Sequence, residues 1–185
     1  MGCAHQLRRI DWAGPCVLAL AALLLTLPCL AAEQAPEYGV KAAFLLNFTK
    51  FADWPPAAFA DGQAPMQICL LGKDPFGRVL DDLVQGEIVR GHQLTVRRIT
   101  QPPPPQTCQV LFIDPAMKEL RKIVEGLPQG VLTISEGDGF LHNGGMIALV
   151  IDNRRVRFDI DVAAVEKAGV KLSSQVLSVA RSVTK

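Results

Sequence analysis

Met66-Gln67-Ile68-Cys69-Leu70-Leu71-Gly72-Lys73-Asp74-Pro75 and, later in the chain, Cys108-Gln109-Val110-Leu111-Phe112-Ile113-Asp114-Pro115 share one plan. Each is a short apolar run followed by Asp-Pro. The runs are strand-length rather than helix-length and read as buried strands. Aspartate caps a helix and proline suits its first position, so each strand predicts a helix behind it. After Asp74-Pro75, Val79, Leu80 and Leu83 form the buried side of that helix and Gly86 ends it. After Asp114-Pro115, Met117, Leu120, Val124 and Leu127 do the same.

Working outward, Val40, Phe44, Phe48 and Phe51 recur at helical spacing. They predict an opening helix from Pro36 to Trp54 with one apolar stripe, stopped by Pro55-Pro56. Leu94 and Val96 mark another strand, and Pro102 to Pro105 a stiff connector. Val131–Ile134 and Met146–Ile151 add two more strands. Asp152-Asn153 turns the chain into Arg155–Ile160, where Val156, Phe158 and Ile160 alternate with Arg155, Arg157 and Asp159. That alternation predicts an antiparallel edge hairpin with one wet face. Asp161 caps a short helix ending near Gly169. Ser173 caps a last helix with Val176, Leu177, Ala180 and Val183 inward. Alternating elements followed by a hairpin predict an α/β fold. The expectation is a three-layer single domain with a mixed sheet of about six strands flanked by about five helices.

The first residues follow another logic. Arg8 and Arg9 precede an uncharged, Leu- and Ala-rich run from Cys16 to Leu30. About fifteen residues is short for a spanning helix, which needs roughly 20, and suits the core of a secretion signal. Residues 1–31 are read as the leader, cleaved after Ala31 or one residue later, and residues 32–185 as the domain. An uncleaved N-terminal anchor is the alternative. Cys29 lacks the surroundings of a lipidation site, and Ile10 and Asp11 do not support twin-arginine export.

The chain has 185 residues, 49% of them hydrophobic, with a net charge of +1. Without the leader, which holds Arg8, Arg9 and Asp11, cations and anions are equal in number. No basic excess exists to hold nucleic acid, and disorder does not fit the apolar content. Cys69 and Cys108 are the only cysteines outside the leader. In an oxidising compartment they suggest one disulfide, closing a loop of about 39 residues for about 4 kcal/mol of chain entropy. Two buried free thiols are the other reading.

Motifs for chemistry are sparse. Gly72 to Val79 has the length of a phosphate loop but lacks its Lys and hydroxyl, and Pro75 removes an amide donor. Gly137-Asp138-Gly139 lacks the third glycine of a dinucleotide fingerprint. Ser182 to Lys185 matches Ser-x-x-Lys without supporting motifs. His92 and His142 have no ligand partners at helical spacing, so no metal is assigned. His142, in a glycine-rich loop, is a candidate general base only if the chain is an enzyme. No catalytic residue and no cofactor is assigned.

A longer pattern is more specific. Tyr38, Val40 to Leu45, Asn47, Phe48, Lys50, Phe51 and Trp54-Pro55 resemble the opening helix of the YfiR family. So do Ile68 to Gly72 with Asp74 to Gly77, Cys108 to Ile113, Gly139-Phe140, and Gly144 to Ile147. Val156 to Ile160, Leu172 to Ser174 and Val176-Leu177 complete the series in the same order. The resemblance implies a dimeric periplasmic α/β protein that is not an enzyme. It implies repression of an inner-membrane diguanylate cyclase by contact with its periplasmic sensor region, which lowers cyclic-di-GMP and biofilm formation. An OmpA-like outer-membrane lipoprotein would sequester the repressor. Cys69 and Cys108 match the family's disulfide pair. A second cysteine pair that some YfiR-type proteins carry has no counterpart between Cys108 and Lys185. Redox control through such a bridge therefore lacks its residues here. Phe140 and Leu141 of the glycine loop, with Arg155 and Arg157, are the candidate contact residues, and Phe140 has a core anchor as its other reading. A periplasmic small-molecule sensor, with its pocket at the carboxyl ends of the strands, is the alternative function.

Overall fold

A computed structural model describes residues 29–185. The leader expected over residues 1–31 lies outside the described residues save for its last three positions. Helix α1 spans Cys29–Phe51 and runs into β1 (Ala52–Asp53) and a single 3-10 turn (Pro56–Ala58). Then follow β2 (Met66–Leu71), α2 (Arg78–Val84), β3 (Ile88–Val89), β4 (His92–Ile99) and β5 (Val110–Ile113). Next come α3 (Leu120–Glu125), β6 (Leu132–Glu136), α4 (Gly139–His142), β7 (Ile147–Asp152) and β8 (Arg155–Asp161). The chain closes with α5 (Val162–Lys167), β9 (Lys171–Leu172), α6 (Ser174–Val179) and β10 (Ser182–Thr184).

The main sheet has eight strands in the order β10-β8-β7-β6-β5-β2-β4-β3, where about six were expected. β1 and β9 pair separately. Strands β4-β2-β5-β6-β7 run parallel. This is a doubly wound order with its switch point between β2 and β5. β8 turns back antiparallel to β7, but it is not an edge, because β10 lies outside it in parallel. The two residues at that turn, Asn153 and Arg154, both take left-handed backbone at φ 50° and 60°. Such a turn matches the twist of the flanking strands.

Two cores form because successive strand residues point to opposite faces. Ile68, Leu70, Val110, Phe112, Ile134 and Ile147 pack with Ala42, Leu45 and Phe48 of α1. Cys69, Leu71, Leu111, Ile113, Ala148 and Val150 pack on the other face with Phe140 and residues of α3. The three-layer expectation holds in this sense, with six α-helices among the described residues rather than about five.

Helix starts depart from the Asp-Pro expectation. Asp74 Oδ1 accepts the Phe76 and Gly77 amides, a local turn that delays α2 to Arg78. Asp114 Oδ1 likewise accepts Ala116 N–H, and left-handed Glu119 precedes α3. The carboxylates satisfy nearby amides in a turn before the helix begins. The last helix ends at Val179, so Val183 sits on a strand and is 37% exposed. Where Asp161 and Ser173 were expected to cap, their side chains do accept Ala164 and Val176 amides.

Candidate functional site

Helix α1 carries two apolar stripes. One, through Ala42, Leu45 and Phe48, is buried. The other runs through Val40, Phe44 and Phe51, of which Val40 is 45% and Phe51 39% exposed. The single stripe expected from Val40, Phe44, Phe48 and Phe51 is therefore split, with only Phe48 fully buried. At about 100° per residue, Val40 lies about 80° and Phe51 about 60° from Phe48 around the helix axis, on the same side, so both turn away from the sheet.

The exposed stripe forms one wall of an apolar groove of about 410 Å³. Phe44, Phe48 and Phe51 come from α1, Phe158 from β8, and Val176 and Val179 from α6. Phe158 meets Phe44 and Phe48 edge-on, each at 5.1 Å between centroids. Edge-on rings at this spacing add attraction beyond burial and make a firm floor. Asn47 and Gln175 supply polar groups to the lining. Val179 is 57% exposed, so the α6 wall is apolar to its edge.

Helix α6 has six residues, too short to persist alone. It is held from both ends. Ser173 N–H donates to Phe51 O at 2.9 Å beside the β1–β9 pair. At the other end the Arg157 guanidinium donates to Val179 O at 3.4 Å. Beyond it, Arg181 N–H donates to Phe158 O at 2.8 Å.

Two charged clusters flank this region. Lys41 is 2% exposed, ion-paired with Glu37 and, at 3.0 Å, with Glu136 at the end of β6. Its ammonium sits 4.6 Å from the Tyr38 ring centroid. Burial works against the charge, and the hydrogen bonds that the ammonium donates to Glu37 and Glu136 outweigh it, so the Lys41 pKa is raised. Burial, with the nearby Glu136 charge, raises the Tyr38 pKa as well. Arg181 forks onto Asp159 and also reaches Asp138 at 2.6 Å. Asp159, expected on a wet face, is only 7% exposed because this guanidinium covers it.

The residues singled out from sequence lie apart. Phe140 is 2% exposed and packs over Gly145, where a Cβ would come within 2.2 Å of its ring. That side chain offers no surface in this fold. Leu141 is half-buried against the same core. Arg155 is exposed at the hairpin, and Arg157 reaches the groove wall. His142 is exposed, with its backbone carbonyl taken by Arg121 at 2.8 Å. His92 stacks on Phe59 at 4.1 Å. At the switch point, Asp114 lies against Gly72 and accepts Lys73 N–H at 3.0 Å, which ties the ends of β2 and β5 together. Cys69 and Cys108 are bonded, with Cα atoms 5.8 Å apart, and both are buried.

The groove and Arg181 were missed from sequence. The signal available was the second stripe, Val40-Phe44-Phe51, which periodicity alone merges with the first. Among the described residues no three His, Cys, Asp or Glu side chains are grouped to hold a metal ion, and no helix is long and apolar enough to cross a membrane. A family profile described as YfiR/HmsC-like matches residues 38–181. No curated protein matches the chain.

Proposed function

From the premise that the chain belongs to the YfiR/HmsC-like family, we propose that it is a periplasmic repressor of an inner-membrane diguanylate cyclase. It is exported by the leader at residues 1–31, acts without cofactor or catalysis, and works as a homodimer. The apolar groove between α1 and α6 carries this reading. Phe51 on one wall and Val179 on the other are exposed, and adjoining exposed apolar side chains mark binding surfaces. The groove docks the periplasmic sensor region of the cyclase, with Arg157 at its α6 wall and Arg155 beyond it on β8; Leu141 packs on the opposite face of the sheet. An OmpA-like outer-membrane lipoprotein competes for the repressor and releases the cyclase.

Repression is a population shift. The protein lowers cyclase output only by binding the inactive state more tightly than the active one. A difference of about 2.7 kcal/mol shifts that equilibrium about a hundredfold. Lower cyclic-di-GMP then reduces biofilm formation.

The test is cellular cyclic-di-GMP in a strain lacking the chain, complemented with the native protein or with Phe51→Glu. The reading expects native protein to restore a low level and Phe51→Glu, present in equal amount, to leave it high. Restoration by both overturns the groove as the docking surface. An unchanged level without the chain overturns repression. A second reading rests on the same groove. Its volume of about 410 Å³ suits a small apolar ligand, as in a periplasmic sensor. A ligand-induced rise in Tm that Phe51→Glu abolishes would favour that reading.

A further inference from the structure

The two walls of the groove come from opposite ends of the chain, yet both are tied to one short segment. α1 is bound through Lys41 to Glu136 at 3.0 Å. The chain that leaves α6 is bound through Arg181 to Asp138 at 2.6 Å. Glu136 and Asp138 flank Gly137, whose φ of +89° favours glycine, and Gly137 N–H is fixed to Leu149 O of β7 at 2.9 Å. The segment is therefore a corner at the carboxyl end of β6, pinned to β7 at Gly137. Arg181 also holds Asp159 of β8 in two contacts, next to Phe158 on the groove floor.

We infer that Glu136-Gly137-Asp138 is the shared anchor that sets the spacing of the groove walls, and that Arg181 and Asp138 are positioning residues for docking. The docking half of this inference rests on the function proposed above. Neither Arg181 nor Asp138 lines the groove. Asp138 is 74% exposed at its side chain, so its loss leaves the core intact. Arg181 acts through geometry. A planar guanidinium can grip Asp159 with two nitrogens and still reach Asp138, whereas a lysine offers one point charge. With the fork gone, α6 keeps its ties at Ser173 and Val179 O and the backbone bond from Arg181 N–H to Phe158 O, but it loses the side-chain link from its end to the β6 corner, and that wall shifts.

The experiment records methyl NMR spectra of the full mature chain, with no partner present, for Asp138→Asn, Asp138→Glu, Arg181→Lys and Arg181→Gln. The Val176 and Val179 methyls are expected to shift or broaden in Arg181→Gln, less in Arg181→Lys and least in Asp138→Asn. Asp138→Glu restores the native positions. Ile68 and Leu111, at the centre of the sheet, stay in place. In cells, Arg181→Gln is expected to weaken repression about tenfold at equal protein level. Unmoved Val176 and Val179 methyls in folded Arg181→Gln overturn the anchor. If that variant does not fold, unmoved methyls in Asp138→Asn overturn it. Because the spectra need no partner, failure of the docking reading is separate: Phe51→Glu would repress normally while the anchor spectra still changed.

Discussion

The two faces of the sheet are closed in different ways. On one face Cys69 and Cys108 are joined covalently, Phe140 lies flat over Gly145, and α3 and α4 complete a small core. On the other face α1 covers most of a larger core, yet Phe44 and Phe51 stay at its margin, and Val179 faces them from α6. Both faces are apolar and share the same strands. The first is built to stay shut, and the second stops short of closure along one line. Under the proposed function, stability and recognition fall on different sides of one sheet, and substitutions on each side should separate them.

The largest effect is expected on the closed face. Replacing both Cys69 and Cys108 by Ala removes the cross-link over a sequence separation of 39 residues. The loss is about 4 kcal/mol in chain entropy. Urea denaturation should show it as a lower midpoint. Because both sulfurs are buried, the folded protein should resist mild reductant until it unfolds. A midpoint unchanged in the double variant would mean that this face is held by packing alone.

Next is the aromatic lid. Gly145→Ala places a methyl where Phe140 lies, and overpacking of this kind costs about 1–3 kcal/mol. Phe140→Ala opens a cavity instead and costs about 3–5 kcal/mol. Combining the two should be less harmful than their sum, because the added methyl then enters the vacated space. A double-mutant cycle in urea gives the coupling, and strict additivity would break the assignment of Phe140 as the lid.

These expectations show what sequence could and could not reveal. The two Asp-Pro runs, β6, β7 and β8 were legible because each is long enough to display its pattern. The disulfide was legible from the residue count and compartment. β1, β3, β9 and β10 were not, since strands of two or three residues have no periodicity and exist by pairing with distant partners. Nothing in the sequence around Lys41 points to Glu136, which reaches it from the end of β6. Arg181 and Asp159 were equally separate. α1 was legible as a helix but not in its orientation, because apolar residues occur on two sides of it.

A smaller effect belongs to the open face and depends on pH. Lys41 titrates from an ordinary value of 10.5 and is raised in the folded protein. Its ion pairs therefore contribute fully below the unfolded pKa, and that contribution is lost as pH rises through the folded one. Tyr38, raised from 10.0, adds to the loss, because the unfolded phenol ionises first. Stability should hold to about pH 10 and then fall, with a slope of at most about 1.4 kcal/mol per pH unit for each linked proton. Lys41→Met should be less stable at pH 8 and show a flatter alkaline limb. An equally steep limb in that variant would remove Lys41 as a cause.

The smallest stability effect tests the comparison most directly. Phe51 is 39% exposed and, with Val40 at 45%, sits on the stripe that the sheet does not bury. Phe51→Ser should change unfolding free energy by no more than about 0.5 kcal/mol, as surface substitutions do. It nonetheless removes a ring from the groove wall, and a docking surface concentrates its energy in such rings. On the proposed function, repression of cyclic-di-GMP should therefore fall by tenfold or more, about 1.4 kcal/mol of binding, while the urea midpoint stays put. On the closed face the order is reversed: the Cys69 and Cys108 double variant loses stability but, at a temperature where it remains folded, keeps its groove and its repression. A loss of stability from Phe51→Ser comparable with that of the closed-face variants would mean that the open stripe is part of the core after all. The two faces would then differ in degree and not in role.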